Sequence, residues 1–375
     1  MKRIVLLGST GSVGKSVLDI VRKNKEKYKI VGLSAFSNAE LLLSQIKEFN
    51  PEYFYIEGEF TRQPSFFDEC ISMPKRVDNL MELASLDCDM VVSAIGGIAG
   101  LMPALTALKS GRNLAIANKE AIVCGGKFLK QAAKESGAKI IPVDSEHSSV
   151  FQCLTGENKE SVKRIILTAS GGAFRDKTKA EIEKMRAEDA LNHPVWSMGK
   201  KVTVDSATLF NKSLEIAEAS ILFDIHVEKV SVVMHPESVI HAIVQYGDNS
   251  YKASMYYPDM SLPIEYALSY PERGTDTVLP LDFEKISRLS FYAPDTDRFP
   301  CLNVMPEALA RGEGAAVAAS SADEALVDLY LKGKIGFYDI YDGLIKAVKA
   351  FEKHKINTVQ DVFDIDKKVR KYIIS

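Results

Sequence analysis

The sequence lacks a long uninterrupted apolar segment, a large excess of charge of either sign and a dense set of cysteines. Its formal net charge is −3 over 375 residues, so it offers no basic face for a nucleic acid or an anionic membrane. The five cysteines are odd in number and scattered, and no two stand at CxxC spacing, so we expect reduced, mostly buried thiols. They are Cys70, Cys88, Cys124, Cys153 and Cys301.

The apolar runs are too short or too interrupted for a signal or a membrane span. The run Ile4 to Leu7 has only four residues before Gly8, which is too short for the core of a secretory signal, so we expect a cytoplasmic protein. The longest uncharged run, Met90 to Leu108, contains glycines and Pro103. That pattern favours a strand, a turn and a helix, and we expect no membrane partner.

The composition is that of a globular enzyme. Hydrophobic residues make up 46% and charged residues 26% of the chain, and the length suits about two or three domains.

A glycine loop follows the first apolar strand. Gly8, Gly11 and Gly14 stand between Ile4–Leu7 and a segment with apolar residues at helical spacing. A strand, glycine loop and helix is typical of pyrophosphate binding at a helix N-terminus, although the spacing is GxxGxxG instead of GxGxxG. A P-loop is disfavoured, because its glycines enclose four residues and Gly8 and Gly14 enclose five.

Further strand-like and helical segments alternate over the first 144 residues. The strand-like runs after the first are Ile30 to Ala35, Tyr53 to Ile56, Met90 to Ala94, Asn113 to Ala117 and Lys139 to Val143. The alternation predicts an α/β fold with an N-terminal Rossmann-like, doubly wound parallel sheet, whose ligands bind at the carboxyl ends of the strands.

In Rossmann domains a residue at the end of the second strand recognises the adenosine ribose of the dinucleotide. In this sequence Phe36-Ser37-Asn38 occupies that position. The absence of Asp and Glu there favours NADP over NAD. Since Lys and Arg are absent too, the strength of that preference stays open.

Two carboxylates, Asp144 and Glu146, follow the last strand of this series. A side-chain period of two would put both on one face of an extended continuation, as a claw for Mg²⁺ or Mn²⁺. Alternatively, Asp144 or Ser145 caps a helix formed by Ser148 to Leu154, the commoner use of such residues.

The sequence pattern of the second part of the chain predicts a central α+β domain and a C-terminal helical domain. Strands are expected at Arg164 to Ala169, Val230 to Met234, Val239 to Tyr246 and Tyr251 to Tyr257, the last two joined by a hairpin at Gly247-Asp248-Asn249. The expected domains are 1–144, 145–274, a connector at 275–300 and a helical domain at 301–375. A sheet edge in the central domain would allow a homodimer.

Two segments of the central domain have alternative interpretations. The charged segment of about 171–200 carries Trp196, which is either a core residue or the aromatic cover of a mobile loop. With Asp205 or Ser206 near its start, the next helix places Asn211, Lys212 and Glu215 on one side. Lys212 and Glu215 are either an exposed ion pair or, with Glu215 as third carboxylate, part of a metal site.

Seven motifs in this order resemble the 1-deoxy-D-xylulose 5-phosphate reductoisomerase family. They are GSTGSVG at 8–14, ANKE at 117–120, PVDSEHS at 142–148, TASGG at 168–172, NHPVWSMG at 192–199, VDSATLFNKSLE at 204–215 and HPESVIH at 235–241. The similarity extends to FPCL at 299–302 and so spans most of the chain.

The resemblance implies a role for each matching residue. The implied metal ligands, for Mg²⁺, Mn²⁺ or Co²⁺, are Asp144, Glu146 and Glu215, and the implied catalytic residues are these three with Lys119 and His241. The implied substrate-binding residues are Lys119, Ser145, Glu146, Ser170, His193, Ser206, Asn211, Lys212 and Glu215. The implied NADPH contacts are Thr10, Gly11, Ser12, Val13, Asn38, Asn118, Glu120 and Gly199, and Trp196 and Met198 match the closing loop.

The family converts 1-deoxy-D-xylulose 5-phosphate to 2-C-methyl-D-erythritol 4-phosphate with NADPH and a divalent metal ion. Phe36-Ser37 departs from the small and often basic residues usual there, and Ala173 replaces a usual proline, which should loosen the loop hinge. Two other classes are an NAD(P)-dependent dehydrogenase of another phosphorylated hydroxy-carbonyl substrate and a regulator that binds NADP without turnover. A regulator that binds NADP without turnover would not need a pocket for a substrate phosphate.

Overall fold

The computed structural model describes residues 1–57, 74–196, 198–274 and 278–374, and these divide into two compact units. Unit 1 comprises Met1–Ala121, Lys127–Ser148 and Asp259–Val278. Unit 2 comprises Ile122–Gly126, Ser149–Pro258 and Leu279–Ser375.

The strands of the described residues form one sheet in each unit. They are β1 Lys2–Leu7, β2 Tyr28–Ala35, β3 Tyr53–Ile56, β4 Lys75–Arg76, β5 Met90–Ser93, β6 Asn113–Ile116, β7 Ile140–Pro142, β8 Val162–Ala169, β9 Val230–Met234, β10 Ile240–Tyr246 and β11 Tyr251–Met255.

The helices of the same residues cover both units. They are α1 Ser12–Lys23, α2 Ala39–Phe49, α3 Leu80–Ala84, α4 Leu101–Lys109, α5 Lys119–Ser136, α6 Ser145–Leu154, α7 Lys179–Ile182, α8 Ala187–Ala190, α9 Lys200–Thr208, α10 Phe210–Phe223, α11 Ser261–Ser269, α12 Val304–Arg311, α13 Glu313–Leu331, α14 Phe337–Phe351 and α15 Val359–Ile374. None of them is both long and apolar enough to cross a membrane.

Unit 1 is built on a parallel sheet in the order β4-β3-β2-β1-β5-β6-β7. Ile4 to Leu7 are fully buried, as expected for a central parallel strand covered on both faces. The predicted doubly wound sheet is therefore confirmed. The short edge strand β4 was missed, because Lys75 and Arg76 are both exposed and give no apolar signal.

Unit 2 contains a mixed sheet in the order β11-β10-β8-β9 and a group of C-terminal helices. β8 and β9 are parallel, and β10 is antiparallel to both β8 and β11. The predicted hairpin between β10 and β11 is confirmed. The alanine-rich α13 lies buried against α14 and α15, so the predicted helical C-terminal region is also confirmed.

Two local expectations were wrong. Asp144 and Glu146 do not share a face of an extended strand, because β7 ends at Pro142 and α6 begins at Ser145, three residues before the expected helix start. Asp205 and Ser206 do not start the helix that carries Glu215. Both lie within α9, which is a separate helix from α10. Leu209, in a left-handed conformation with φ 62°, stands between the two helices.

The cysteines of the described residues behave as expected. Cys88, Cys124, Cys153 and Cys301 are buried thiols, whereas Cys70 lies outside the described residues. Burial raises the pKa of the Cys88 thiol to about 11.

Candidate functional site

The glycine loop of unit 1 follows β1 and is held tightly in place. Gly8 has φ 85°, and a Cβ on it would lie 2.7 Å from the Ala94 carbonyl oxygen. A Cβ on Gly14 would lie 2.3 Å from the Gly8 carbonyl oxygen. Both positions therefore need glycine, and the tight loop connects β1 directly to α1, whose N-terminus is the kind of position at which pyrophosphates bind.

Two buried side chains that the sequence motifs do not single out brace this loop. The Ser34 hydroxyl accepts a hydrogen bond from the Gly8 N–H at 3.0 Å. The Gln45 amide donates to the Ser9 carbonyl at 3.0 Å and accepts from the Ser9 hydroxyl at 2.6 Å. The loop is thus bonded to β2 and α2.

Asn38 and Asn118, both expected at the cofactor, cap the helices that follow β2 and β6. The Asn38 side chain accepts from the Leu41 N–H at 3.0 Å, and Asn118 accepts from the Ala121 N–H at 2.7 Å. The buried Asn118 amide also donates to the carbonyls of Ile95 and, at 2.7 Å, Gly97. Asn118 therefore connects the start of α5 to the loop after β5.

Lys119, Asp144 and His147 form a polar cluster at the ends of β6 and β7. Lys119 Nζ lies 3.1 Å and His147 Nδ1 3.3 Å from the same Asp144 oxygen, and His147 is fully buried. Asp144 occupies the N-cap position of α6, since its carbonyl accepts from the Ser148 N–H at 2.8 Å. Its carboxylate nevertheless contacts Lys119 and His147, so the capping and functional interpretations are compatible.

Ser145 and Glu146 begin α6 beside this cluster. The Ser145 hydroxyl donates to a Glu146 carboxylate oxygen at 2.5 Å. Within unit 1, the predicted residues thus lie at the carboxyl ends of β1, β2, β6 and β7, the edge where open parallel sheets bind ligands. Gly199 is the exception among the expected cofactor contacts, since it is the N-cap of α9 in unit 2.

In unit 2, Ser170 and His193 are joined by a hydrogen bond of 3.1 Å. Burial, with the Arg175 charge acting in the same direction, lowers the pKa of His193 to about 4. The ring is therefore neutral near pH 7. Its Nδ1 accepts from the N–H groups of Val195 and Trp196 at 3.1 and 2.8 Å, so Nε2 carries the proton and donates to Ser170.

Ser206 lies against the same segment. Gly172 has φ 66°, and a Cβ on it would lie 2.4 Å from the Ser206 carbonyl oxygen. The α9 helix that carries Ser206 is held by Lys201, whose ammonium lies 2.7 Å from both Asp205 and Asp323, two buried carboxylates. Ser170, His193 and Ser206 are thus gathered in one part of unit 2.

Glu215 is buried on α10 and accepts hydrogen bonds on both carboxylate oxygens. Asn211 Nδ2 donates to Oε1 at 2.6 Å, and the Lys212 ammonium donates to Oε2. Lys212 is 5% and Glu215 1% exposed, so the exposed-pair interpretation was wrong. A buried carboxylate needs such partners to remain ionised.

His241 is held between two aromatic side chains of unit 2. Its ring stacks on Tyr256 with 3.8 Å between centroids, and Trp196 meets it edge-on at 6.2 Å. The His241 Nε2 lies 3.2 Å from the Tyr256 carbonyl, so Nε2 carries a proton and donates it to that oxygen. Nothing in the sequence pattern singled out Tyr256.

The segment of about 171–200 is partly folded. Residues 179–190 contain α7 and α8, Phe174 is buried against Phe337, and Arg298 bonds the carbonyls of Arg175 and Lys177. Outside α7 and α8 the described backbone of this segment, at 171–178, 183–186, 191–196 and 198–199, forms neither helix nor strand, and Ser197 lies outside the described residues.

Three family models match successive parts of the chain. The model described as 1-deoxy-D-xylulose 5-phosphate reductoisomerase matches residues 4–126, and the one for the C-terminal domain of that reductoisomerase matches 140–223. A third, described as DXP reductoisomerase C-terminal domain, matches 255–372.

Relatives match over nearly the whole chain. The 1-deoxy-D-xylulose 5-phosphate reductoisomerase of Thermodesulfovibrio yellowstonii is 44% identical, over 99% of this chain and 98% of its own. That of Geobacter metallireducens is 43% identical, over 98% and 96%.

Two solved structures share the fold over almost their full length. DOX-P reductoisomerase in complex with NADPH, fosmidomycin and magnesium has a TM-score of 0.94 at 36% identity, covering 100% of this chain and 98% of that one. The reductoisomerase of Zymomonas mobilis in complex with NADPH has a TM-score of 0.92 at 36% identity, covering 99% and 98%.

Proposed function

Because the chain belongs to the 1-deoxy-D-xylulose 5-phosphate reductoisomerase family, we propose that Asp144, Glu146 and Glu215 hold its divalent metal ion. The enzyme is an NADPH-dependent oxidoreductase of isoprenoid precursor biosynthesis. It converts 1-deoxy-D-xylulose 5-phosphate to 2-C-methyl-D-erythritol 4-phosphate and uses NADPH and a divalent metal ion as cofactors.

The observation that carries the site assignment lies in unit 1, where the glycine loop and the acidic pair stand at one edge of one sheet. The loop follows β1 and Asp144 follows β7, three strands away in the order β1-β5-β6-β7. Three strand spacings amount to about 14 Å. An extended dinucleotide that starts at β2 and crosses the glycine loop therefore brings its nicotinamide towards Lys119 and Asp144.

The donor set fits a hard divalent cation. All three proposed ligands are carboxylates, which suit Mg²⁺, Mn²⁺ or Co²⁺ better than they suit metals that prefer sulfur ligands. The ion would supply a Lewis acid for the ketone and adjacent hydroxyl oxygens of the substrate. Mg²⁺ occurs in the related structures, and we propose that Mn²⁺ and Co²⁺ also support activity.

The residues of the chain itself position the reactants. Lys119 contacts Asp144 and would orient that carboxylate while its ammonium faces the substrate oxygens. Asn211 and Lys212 hold the Glu215 carboxylate in place through hydrogen bonds to both of its oxygens, and Lys212 would also supply positive charge for the substrate. The His241 ring, held in place by Tyr256, would face the reacting carbons of the substrate.

We assign the substrate phosphate to Ser170, His193, Ser206, Asn211 and Lys212. Ser170 and Ser206 offer hydroxyl donors around Gly172, and the Ser170–His193 bond ties them to residues 193–196. Phosphate binding would thereby order the mobile loop of about 171–200, which carries Trp196 and Met198. The binding energy of this remote group would then assist the reaction at the other end of the substrate.

The NADPH contacts are assigned by the same resemblance to Thr10, Gly11, Ser12, Val13, Asn38, Asn118, Glu120 and Gly199. Residues 1–144 would thus act as the NADPH-binding part, 145–274 as the metal and substrate part, 275–300 as the connector and 301–375 as a helical support. Since Asn118 already uses its side chain to cap α5 and bind two carbonyls, we assign its cofactor role to the backbone it positions.

We propose a homodimer in the cytoplasm, with small molecules and a second copy of the chain as its binding partners. The strand β11 is an edge of the unit 2 sheet, and Tyr251, Lys252 and Ala253 on it are exposed. Such an edge can pair with its own copy. Buried thiols suit a reducing compartment. Light scattering after gel filtration tests the dimer, and cell fractionation tests the location.

The catalytic test mixes the purified protein with NADPH, Mn²⁺ and 1-deoxy-D-xylulose 5-phosphate and follows the absorbance of reduced nicotinamide. We expect NADPH oxidation that requires both the substrate and the metal ion and ceases with EDTA. Oxidation that continues in EDTA would contradict the proposed metal site.

A further inference from the structure

The adenosine end of the cofactor site has no cation on the segment that normally supplies one. NADPH differs from NADH by a phosphate on the adenosine ribose, which Rossmann domains read beside the end of their second strand. β2 ends at Ala35, and the exposed residues after it, Phe36, Ser37 and Asn38, are uncharged. A preference for NADPH therefore needs a positive group from another element.

Arg76 brings a guanidinium towards this place from the sheet edge. It pairs with Phe54 in the β3–β4 ladder, but its side chain extends forward along β3 and donates from Nη2 to the Ile56 carbonyl at 3.3 Å. Ile56 is paired in turn with Ala35, the last residue of β2. Neighbouring strands are about 4.8 Å apart, so the guanidinium lies about one strand spacing from where β2 ends.

The carboxylate of Glu57 also lies close to the end of β3 and accepts a hydrogen bond there. Glu57 follows Ile56, and its N–H donates to the Ala35 carbonyl at 3.2 Å. The Tyr55 hydroxyl donates to the Glu57 carboxylate at 2.5 Å. Burial first and Glu57 second raise the pKa of Tyr55 to about 12, and the Arg76 charge acts in the opposite direction.

Lys75, the other cation on β4, points its side chain to the opposite face of the strand. Lys75 and Arg76 are consecutive on β4, and successive side chains of a strand point to opposite faces. Lys75 pairs with Tyr53 at the opposite end of the short ladder, farther from the end of β2. It matches Arg76 in charge and exposure but not in direction.

We propose that Arg76 binds the 2′-phosphate of NADPH and is the residue that sets the preference of this enzyme for NADPH over NADH. The assignment rests on the proposed function, since it concerns the cofactor of that same reaction. The planar guanidinium can donate two parallel hydrogen bonds to phosphate oxygens, and the phosphate carries nearly two negative charges. The exposed ring of Phe36 lies beside the same strand end and can cover the adenine.

The test compares Arg76→Gln and Arg76→Lys with the control Lys75→Gln, using NADPH and NADH as alternative cofactors at saturating substrate. We expect Arg76→Gln to raise the KM for NADPH about 10- to 100-fold, the value of one or two charge-assisted hydrogen bonds. The KM for NADH should stay unchanged, which also shows that the variant is folded. Arg76→Lys should raise the KM for NADPH by a smaller factor than Arg76→Gln does. Lys75→Gln should change the KM of neither cofactor.

Binding without turnover gives a second readout. Adenosine 2′,5′-bisphosphate should compete with NADPH on the unaltered protein and lose this effect in Arg76→Gln, whereas adenosine 5′-monophosphate should bind both proteins equally. This measurement needs no substrate, so it separates the assignment of Arg76 from the identity of the reaction. Equal KM values for both cofactors in the unaltered enzyme, an unchanged NADPH constant in Arg76→Gln, or equal increases for both cofactors would each overturn the proposal.

Discussion

The ammonium of Lys119 lies 3.1 Å from the carboxylate of Asp144, linking the first residue of α5 to the residue before α6. The two side chains are only 11% and 18% exposed, so solvent screens the pair weakly. Lys119 and a bound divalent cation would both be attracted to the same carboxylate. Removal of the Lys119 charge should therefore change metal affinity and turnover in opposite directions.

Replacing Lys119 by methionine tests this competition. We expect Lys119→Met to bind Mn²⁺ at least as tightly as the unaltered protein, because the competing positive charge is gone, while kcat falls about 100-fold or more. Titration with Mn²⁺ followed by electron paramagnetic resonance measures the first quantity, and NADPH oxidation measures the second. Lys109→Met at the end of α4 is the control. Weaker Mn²⁺ binding in Lys119→Met would show that Lys119 supports the metal site and does not compete with it.

Replacing Glu215 by glutamine should abolish metal-dependent turnover while leaving the NADPH site intact. The change keeps the side-chain volume but removes the charge that Asn211 and Lys212 stabilise. We expect a loss of at least about 100-fold in kcat, since even indirect partners of metal ligands contribute about 10- to 100-fold. NADPH binding, measured by nicotinamide fluorescence, should be unchanged. Glu228→Gln on the protein surface is the matched control, and full activity of Glu215→Gln would remove Glu215 from the site.

Asn118 and Asn79 cap helices in the same way, but only Asn118 is seen to bind two carbonyls as well. Asp is as good an N-cap as Asn, so Asn79→Asp should change the free energy of unfolding by less than about 0.5 kcal/mol. Asn118→Asp should cost about 2 to 3 kcal/mol at neutral pH, because a carboxylate then faces the carbonyls of Ile95 and Gly97. Part of this loss should return in acid, where the protonated carboxyl group of the variant can donate again. Equal effects in urea unfolding would mean that capping is the whole role of Asn118.

The lowered pKa of His193, about 4 against an ordinary value of 6.5, makes stability depend on pH. Between these values the unfolded chain binds more protons than the folded one, so the free energy of unfolding rises with pH through this window. The contribution is complete above about pH 6.5 and is lost as the pH falls towards 4. At pH 5 it should be smaller by about 2 kcal/mol than at pH 7.5.

Urea unfolding at both pH values measures this dependence. His193→Gln should lose about 2 kcal/mol of the difference between pH 5 and pH 7.5, and the exposed His226→Gln should retain it. Identical pH dependence in His193→Gln and the unaltered protein would show that the ring is protonated equally in both states.

Particular residues show where sequence patterns succeed and where they fail. The strand runs of the parallel sheet were correctly predicted, because a strand buried on both faces must be apolar along its whole length. The edge strand Lys75–Arg76 escaped detection, since neither face needed apolar side chains. The spacing of Asp144 and Glu146 was read as extended, although the chain had already turned into α6.

Sequence alone determined the order of the buried strands, the glycine loop and the family, because these depend on local periodicity and on short motifs of consecutive residues. Tertiary structure decided which side chains are buried and what they contact. Lys212 and Glu215 appear in the sequence as an ordinary pair one helical turn apart, and only packing removes them from water. Arg76 lies near the end of β2 only because β4 pairs with β3 and β3 pairs with β2. Hydrogen bonds between strands thus bring together residues that are distant along the chain.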